Sequence, residues 1–245
     1  MHYLFDLTSL MKHMLYLAAN PFISAYAQSD WFGKAIFWGL FLLSAGAWIL
    51  ILYKAWQFRA VRKLSAEFSN LFGQKRAEPL EVQWSRPTSA HLKDLPHPLF
   101  DIYRGVKQQT LQLISRNGQS ALSPEDLELI GSEVSMGLSS STKKLERHLF
   151  MLPTIVTLGP FLGLLGTVWG ILLTFSQFQG KVNNAAMLSG LSLALATTVV
   201  GLLVAIPAVI GYSYLRNTHR ELRRAAEEFS HSLLSAIELQ YRKLP

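Results

Sequence analysis

Two threonines, Thr167 and Thr198, each lie near the middle of a long stretch free of formal charge. Thr174 and Thr197 lie one or two turns away or directly beside them. A hydroxyl donates one hydrogen and accepts through two lone pairs, so a row of hydroxyls can pass a proton along. It cannot store one at neutral pH. Neither stretch contains Asp, Glu, His, Lys or Arg. If protons cross here, another chain must bring the titratable group.

The elements that carry these threonines are set by where charges are missing. Residues 35–53 form a run of 19 without a formal charge, 149–180 a run of 32, and 182–215 a run of 34. At 1.5 Å per residue each is long enough to cross a hydrocarbon core of roughly 30 Å. Half of the 245 residues are apolar and only 16% are charged, against roughly 25% charged in a soluble domain. A core helix of a soluble protein seldom runs so far without a charged face. The reading is an all-α membrane protein with three transmembrane helices, 31–53, 149–176 and 185–214. A polar turn at 177–184 joins the second and third, and a helical insertion at 54–148 separates the first and second.

Lysine and arginine orient the spans. Segment 54–148 carries 14 of the 23 and the tail beyond Leu215 carries 6, whereas the other side has only Lys12, Lys34 and Lys181, partly balanced by Asp6 and Asp30. The positive-inside rule then puts the insertion and the C-terminal helix, 215–245, in the cytoplasm and the N-terminal segment, 1–30, outside. The net charge of +7 is explained without nucleic acid. In the N-terminal segment Ala25, Tyr26 and Ala27 resemble a signal-peptidase site, but Lys12, His13, Asn20 and Pro21 break the apolar stretch before them. The preferred reading is an amphipathic interfacial helix over roughly 4–19, with Trp31 and Phe32 anchoring the start of the first span.

The cytoplasmic part reads as a helical bundle. Trp56, Val61, Leu64, Phe68 and Leu71 continue the first helix to about Phe72, with Gly73 ending it. Prolines 79, 87, 96 and 98 make 74–98 a loop. His91 and His97 sit in that loop without partners at ligand spacing and are plain loop residues, so no metal site is read. A helix covers 99–115 and breaks at Asn117 and Gly118. Ser123, Pro124, Glu125 and Asp126 then start another, which should run unbroken into the second span. In the tail, Leu222, Ala226, Phe229, Leu233 and Ile237 form an amphipathic face that needs a partner.

Inside the spans the small residues fall into stripes. At 100° per residue Gly159, Pro160, Gly163, Thr167, Gly170 and Thr174 lie within about 100° of one another. The third span has a similar stripe of Gly190, Ala194, Thr197, Thr198, Gly201, Ala205 and Ala208. Together with Gly166 these glycines allow close helix packing. The plainer reading gives the glycines packing alone and lets each threonine bond the carbonyl four residues back. Pro160 and Pro207 each remove a backbone hydrogen bond and are candidate helix kinks. His148 and His219 flank the membrane and read as interfacial residues rather than proton relays. Enzyme chemistry is disfavoured: there is no cysteine, no His or carboxylate accompanies Ser189 or Ser192 in the spans, and no glycine-rich loop ends in Gly-Lys-Ser or Gly-Lys-Thr. No catalytic residue and no cofactor is assigned.

On "LGPFLGLLGTVWGI" in the second span, "ALATTVVGLLVAIPAV" at 194–209 and "NPFISAYAQSDWFGK" before the first, the chain resembles the MotA/TolQ/ExbB proton-channel family. Three spans place it on the TolQ/ExbB branch. The resemblance implies a bacterial inner-membrane subunit that forms a ring, with a pentamer expected, around the single-span helices of an ExbD/TolR-like partner. In that family a membrane-embedded Asp on the partner carries protons, and proton motive force drives work on a TonB- or TolA-like protein. The family's threonine in "GTVWG" corresponds to Thr167, and its third-span threonine, nine residues before Pro207, to Thr198. Many such sequences carry a glutamate fourteen residues before that proline, where this chain has Leu193. Either that acid is dispensable here or ion coupling differs. A membrane scaffold subunit without ion conduction is the alternative.

Overall fold

The computed structural model describes residues 22–75, 77–84, 95–117, 121–176 and 184–242. The amphipathic helix expected over 4–19, His91 and most of the turn expected at 177–184 lie outside them. Among the described residues the regular structure is helical, with one isolated bridge between Leu122 and Arg242 and no strand. A short helical stretch at 22–28 precedes five long helices. These are α1 (Trp31–Gln74), α2 (Pro98–Asn117), α3 (Pro124–Glu146), α4 (Met151–Ser176) and α5 (Asn184–Tyr241). Three helical stretches are long and apolar enough to cross a membrane: α1, the stretch that ends with α4, and α5. The chain is therefore a multi-pass membrane protein in the sense its charge gaps indicate.

The chain divides into two compact units. The first takes Met1–Ile51 and Met151–Tyr212, and so holds the beginnings of α1 and α5 and the whole of α4. Its buried positions include the small-residue stripes and their neighbours, Gly159, Gly163, Gly166 and Gly170 on α4 and Leu193, Ala194, Thr197, Ala205 and Ala208 on α5, together with Ile36 and Leu40 of α1. The opposite face of α4 exposes Phe161, Leu164, Val168, Leu172 and Phe175 at helical spacing. Water would not tolerate so continuous an apolar stripe on a monomer; hydrocarbon or a neighbouring subunit does.

The second unit takes Leu52–Phe150 and Ser213–Pro245. Its core joins the end of α1 (Phe68, Phe72), α2 (Leu99, Ile102, Tyr103, Val106), α3 (Ile130, Val134) and the amphipathic face of α5 (Ala226, Phe229, Leu233, Ile237). That face finds its partner within the unit. Phe68 is the hub. Its ring meets Trp84, His97, Phe100, Tyr103 and Phe229 edge-on at centroid distances of 5.5 to 5.8 Å, the arrangement that aromatic quadrupoles favour. At the end of α5 the Tyr241 carbonyl accepts the Leu122 N–H at 2.7 Å, and Leu122 is fully buried.

Local start signals explain two of the helices. Ser123 and Asp126 close a reciprocal capping box: the serine hydroxyl accepts the Asp126 N–H at 3.2 Å and the carboxylate accepts the Ser123 N–H at 3.0 Å. α2 starts differently. His97 is buried, not a plain loop residue, and its Nδ1 accepts the Phe100 N–H at 3.2 Å, with Pro98 in the first helical position. α1 runs on to Gln74, so Gly73 lies in its last turn instead of ending it.

One expectation fails. α3 does not run unbroken into the second span: it stops at Glu146, residues 147–150 form turns, and His148 takes a left-handed φ of 68°. Pro153 favours a break here, because it falls in the first turn of α4. A continuous helix would need its missing N–H to reach the Leu149 carbonyl and would bring its ring against that carbonyl; in the first turn of a new helix neither demand arises. Lys54 serves the freed end of α3. It is buried, and its Nζ donates to the Leu145 carbonyl at 3.2 Å and to Gln57 Oε1 at 2.8 Å.

Candidate functional site

The two small-residue stripes face each other. A Cβ added at Gly159 would lie 3.2 Å from the Gly201 carbonyl oxygen, at Gly163 3.0 Å from that of Thr197, at Gly170 2.5 Å from that of Gly190, and at Gly201 2.7 Å from that of Gly159. Every one of these obstacles is backbone. The glycines therefore let α4 and α5 meet main chain to main chain, at a spacing where no side chain fits. Gly166 closes on the Thr197 side chain and Gly190 on the Thr174 hydroxyl.

Within this seam Thr167 and Thr198 come together, their Oγ1 atoms 2.5 Å apart. Each is half-buried. Each also lies within bonding distance of helix carbonyls: Thr167 Oγ1 is 3.0 Å from the Gly163 oxygen and 3.5 Å from that of Ala194, and Thr198 Oγ1 is 3.2 Å from that of Ala194. The pair owns two hydrogens. One bridges the oxygens and the other goes to a carbonyl, which leaves lone pairs for an incoming donor. A proton can be handed across such a pair but cannot rest on it.

Thr197 and Thr174 do not join it. Thr197 is fully buried and donates to the Leu193 carbonyl at 2.9 Å or that of Ala194 at 3.0 Å, while Thr174 donates to the Gly170 carbonyl at 2.8 Å. Both follow the plainer back-bonding pattern. Pro160 and Pro207 lie inside helices that continue through them. Leu193 is 2% exposed, an apolar plug with its Cδ2 3.1 Å from the Cβ position of Gly33. His148 is exposed. His219 is only half-exposed, its ring centroid 6.3 Å from that of Phe58 and its Nε2 buried. No group of three or more His, Cys, Asp or Glu side chains suited to a metal occurs among the described residues.

One contact has no counterpart in the sequence reading. The carboxylate of Asp30, at the head of α1, receives the Trp169 indole N–H of α4, with Nε1 at 3.2 Å from Oδ1 and 3.1 Å from Oδ2. Each partner is conspicuous locally, one as a helix cap and the other inside "GTVWG". Their pairing across 139 positions leaves no trace in any local pattern.

Three apolar helical stretches, two of them closed on each other by glycines with a hydroxyl pair at the seam, define a multi-pass membrane protein built for close helix packing around a polar spot. The pattern of the MotA/TolQ/ExbB proton channel family matches residues 104–228, half of the chain, and the chain belongs to that family. It is 46% identical to the biopolymer transport protein ExbB of Aquifex aeolicus over 81 residues, a match that covers 32% of this chain and about half, 55%, of that protein. To the ExbB of Neisseria gonorrhoeae it is 25% identical over 197 residues, covering 79% of this chain and 86% of that one. To the Tol-Pal system protein TolQ of Pseudomonas aeruginosa it is 29% identical over 175 residues, covering 69% and 72%.

Proposed function

We propose that this chain is the ring-forming subunit of an ExbB/TolQ-type motor that couples proton motive force to work on the cell envelope. Copies of the chain, five by analogy with the family, surround the helices of an ExbD/TolR-like single-span protein in the bacterial inner membrane, with the N-terminus periplasmic and the C-terminus cytoplasmic. That partner brings the Asp that takes up and releases protons. A TonB- or TolA-like transducer receives the motion.

The observation that carries the reading is the Thr167–Thr198 pair. It is the cross-helix hydroxyl contact of a seam whose two charge-free stretches offer no titratable side chain, so the acid must come in trans. The family match and the ExbB and TolQ relatives support the same assignment. The second reading, a scaffold without conduction, draws on the back-bonding of every seam threonine to its own helix.

Proton flux decides between them. In vesicles holding this chain with its ExbD/TolR-like partner, Thr198→Val should leave assembly intact and depress flux, and Asp→Asn in the partner's span should abolish it. No flux from the unaltered complex would favour the scaffold. Flux from this chain alone would refute an acid supplied in trans.

A further inference from the structure

Asp30 does two jobs at once. As the residue preceding α1 it caps the helix, Oδ1 accepting the Gly33 N–H at 2.9 Å. The same carboxylate also receives the Trp169 indole N–H, and Phe32 packs on that indole with centroids 4.5 Å apart. A carboxylate makes a stronger hydrogen-bond acceptor than a neutral group. Among the described residues of the first unit, Asp30 is the one carboxylate.

Trp169 stands two residues beyond Thr167, about 200° around α4. The helix is thus gripped from opposite sides: Thr167 faces Thr198 on α5, and Trp169 faces Asp30 at the cap of α1. A rotation of α4 by about 20° would carry a side-chain oxygen on the order of 1 Å. That is enough to separate hydroxyls now 2.5 Å from each other. The seam glycines set how near the helices lie, with the Thr197 and Thr174 side chains seated against Gly166 and Gly190, and the Asp30–Trp169 bond adds a second hold on the other side of α4.

We propose that Asp30 is a positioning residue: by holding the Trp169 indole it sets the rotation of α4 and keeps Thr167 aligned with Thr198. Its importance for transport rests on the conduction reading above; the alignment itself does not.

The chain has no cysteine, so Thr167→Cys with Thr198→Cys introduces a single intrachain cysteine pair, and the extent of its oxidation in membranes of cells making the full complex reports the alignment. Asp30→Ala should cut the cross-linked fraction several-fold. Trp169→Phe, which keeps the ring and removes the N–H, should do the same, and the double variant should be no worse than either single one. Asp30→Asn should restore cross-linking, because one Oδ1 already serves both N–H groups. In the threonine-containing chain, proton flux should follow the same order. Equal cross-linking in all variants, or a loss with Asp30→Asn as large as with Asp30→Ala, overturns the proposal. If the unaltered complex conducts no protons while cross-linking still follows Asp30, conduction is refuted and the alignment role stands.

Discussion

Gly170→Ala tests the seam most directly. The added methyl would sit 2.5 Å from the Gly190 carbonyl oxygen, 2.9 Å from the Ala194 nitrogen and 3.0 Å from the Ala194 Cβ, where ordinary contacts begin at 3.4 Å. Two of these atoms are backbone, so no rotamer change relieves the clash, and α4 and α5 must move apart locally by about 1 Å. Overpacking of this kind costs about 1–3 kcal/mol. Alanine returns up to about 1 kcal/mol through its greater helix propensity. The expected net is a loss of about 1–2 kcal/mol. Gly46→Ala is the matched control, because nothing lies within 4 Å of its Cβ position, and it should be neutral or slightly stabilising. Equilibrium unfolding in mixed micelles measures both. The opening should also reach Thr167, one turn away, and stretch its 2.5 Å contact toward the limit of hydrogen bonding, so proton flux should fall with stability. Gly170→Ala as stable as wild type and as Gly46→Ala would refute the backbone contact at that point.

Two further outcomes concern the second unit. Ser123→Ala should cost about 1 kcal/mol in chemical unfolding of the full chain, and Ser123→Thr much less, because only the alanine removes the acceptor for the Asp126 N–H; equal losses would deny the capping box its role. Burial pushes the Tyr103 phenol up to about 12, with the neighbouring Tyr241 adding to the rise. Above the unfolded value of 10.0 the unfolded chain sheds this proton while the folded one keeps it, so stability is intact below pH 10 and falls by about 1.4 kcal/mol per unit between 10 and 12. Tyr103→Phe should flatten most of that decline in alkaline unfolding, and an unchanged slope would refute the cause.

The spans were legible because crossing a bilayer demands a long charge-free run, which is a property of the sequence itself. The Ser123 cap was legible for a similar reason: serine, proline and acid act on backbone groups within one turn. The seam was only partly legible. A 100° period put Thr167 and Thr198 on small-residue stripes, but only the packed helices show that these two meet while Thr197 and Thr174 turn to their own carbonyls. The break after Glu146 had a readable signal in Pro153 that the continuing apolar run concealed. His97 was misjudged because its role depends on burial beneath Phe68 and Trp84, and the Asp30–Trp169 bond depends on which helices become neighbours.

The Leu122–Tyr241 bond has a consequence for the order of synthesis. The core beneath it needs side chains from both ends of the second unit, such as Ile102 and Ile130 from the earlier stretch and Phe229 and Ile237 from the later. At roughly 5–20 residues per second the ribosome supplies the later stretch on the order of ten seconds after the earlier one. During that interval two apolar spans must be handed to the bilayer while the waiting helices hold unfilled greasy faces. Apolar surface exposed in this way is prone to aggregation until the last turn of α5 emerges.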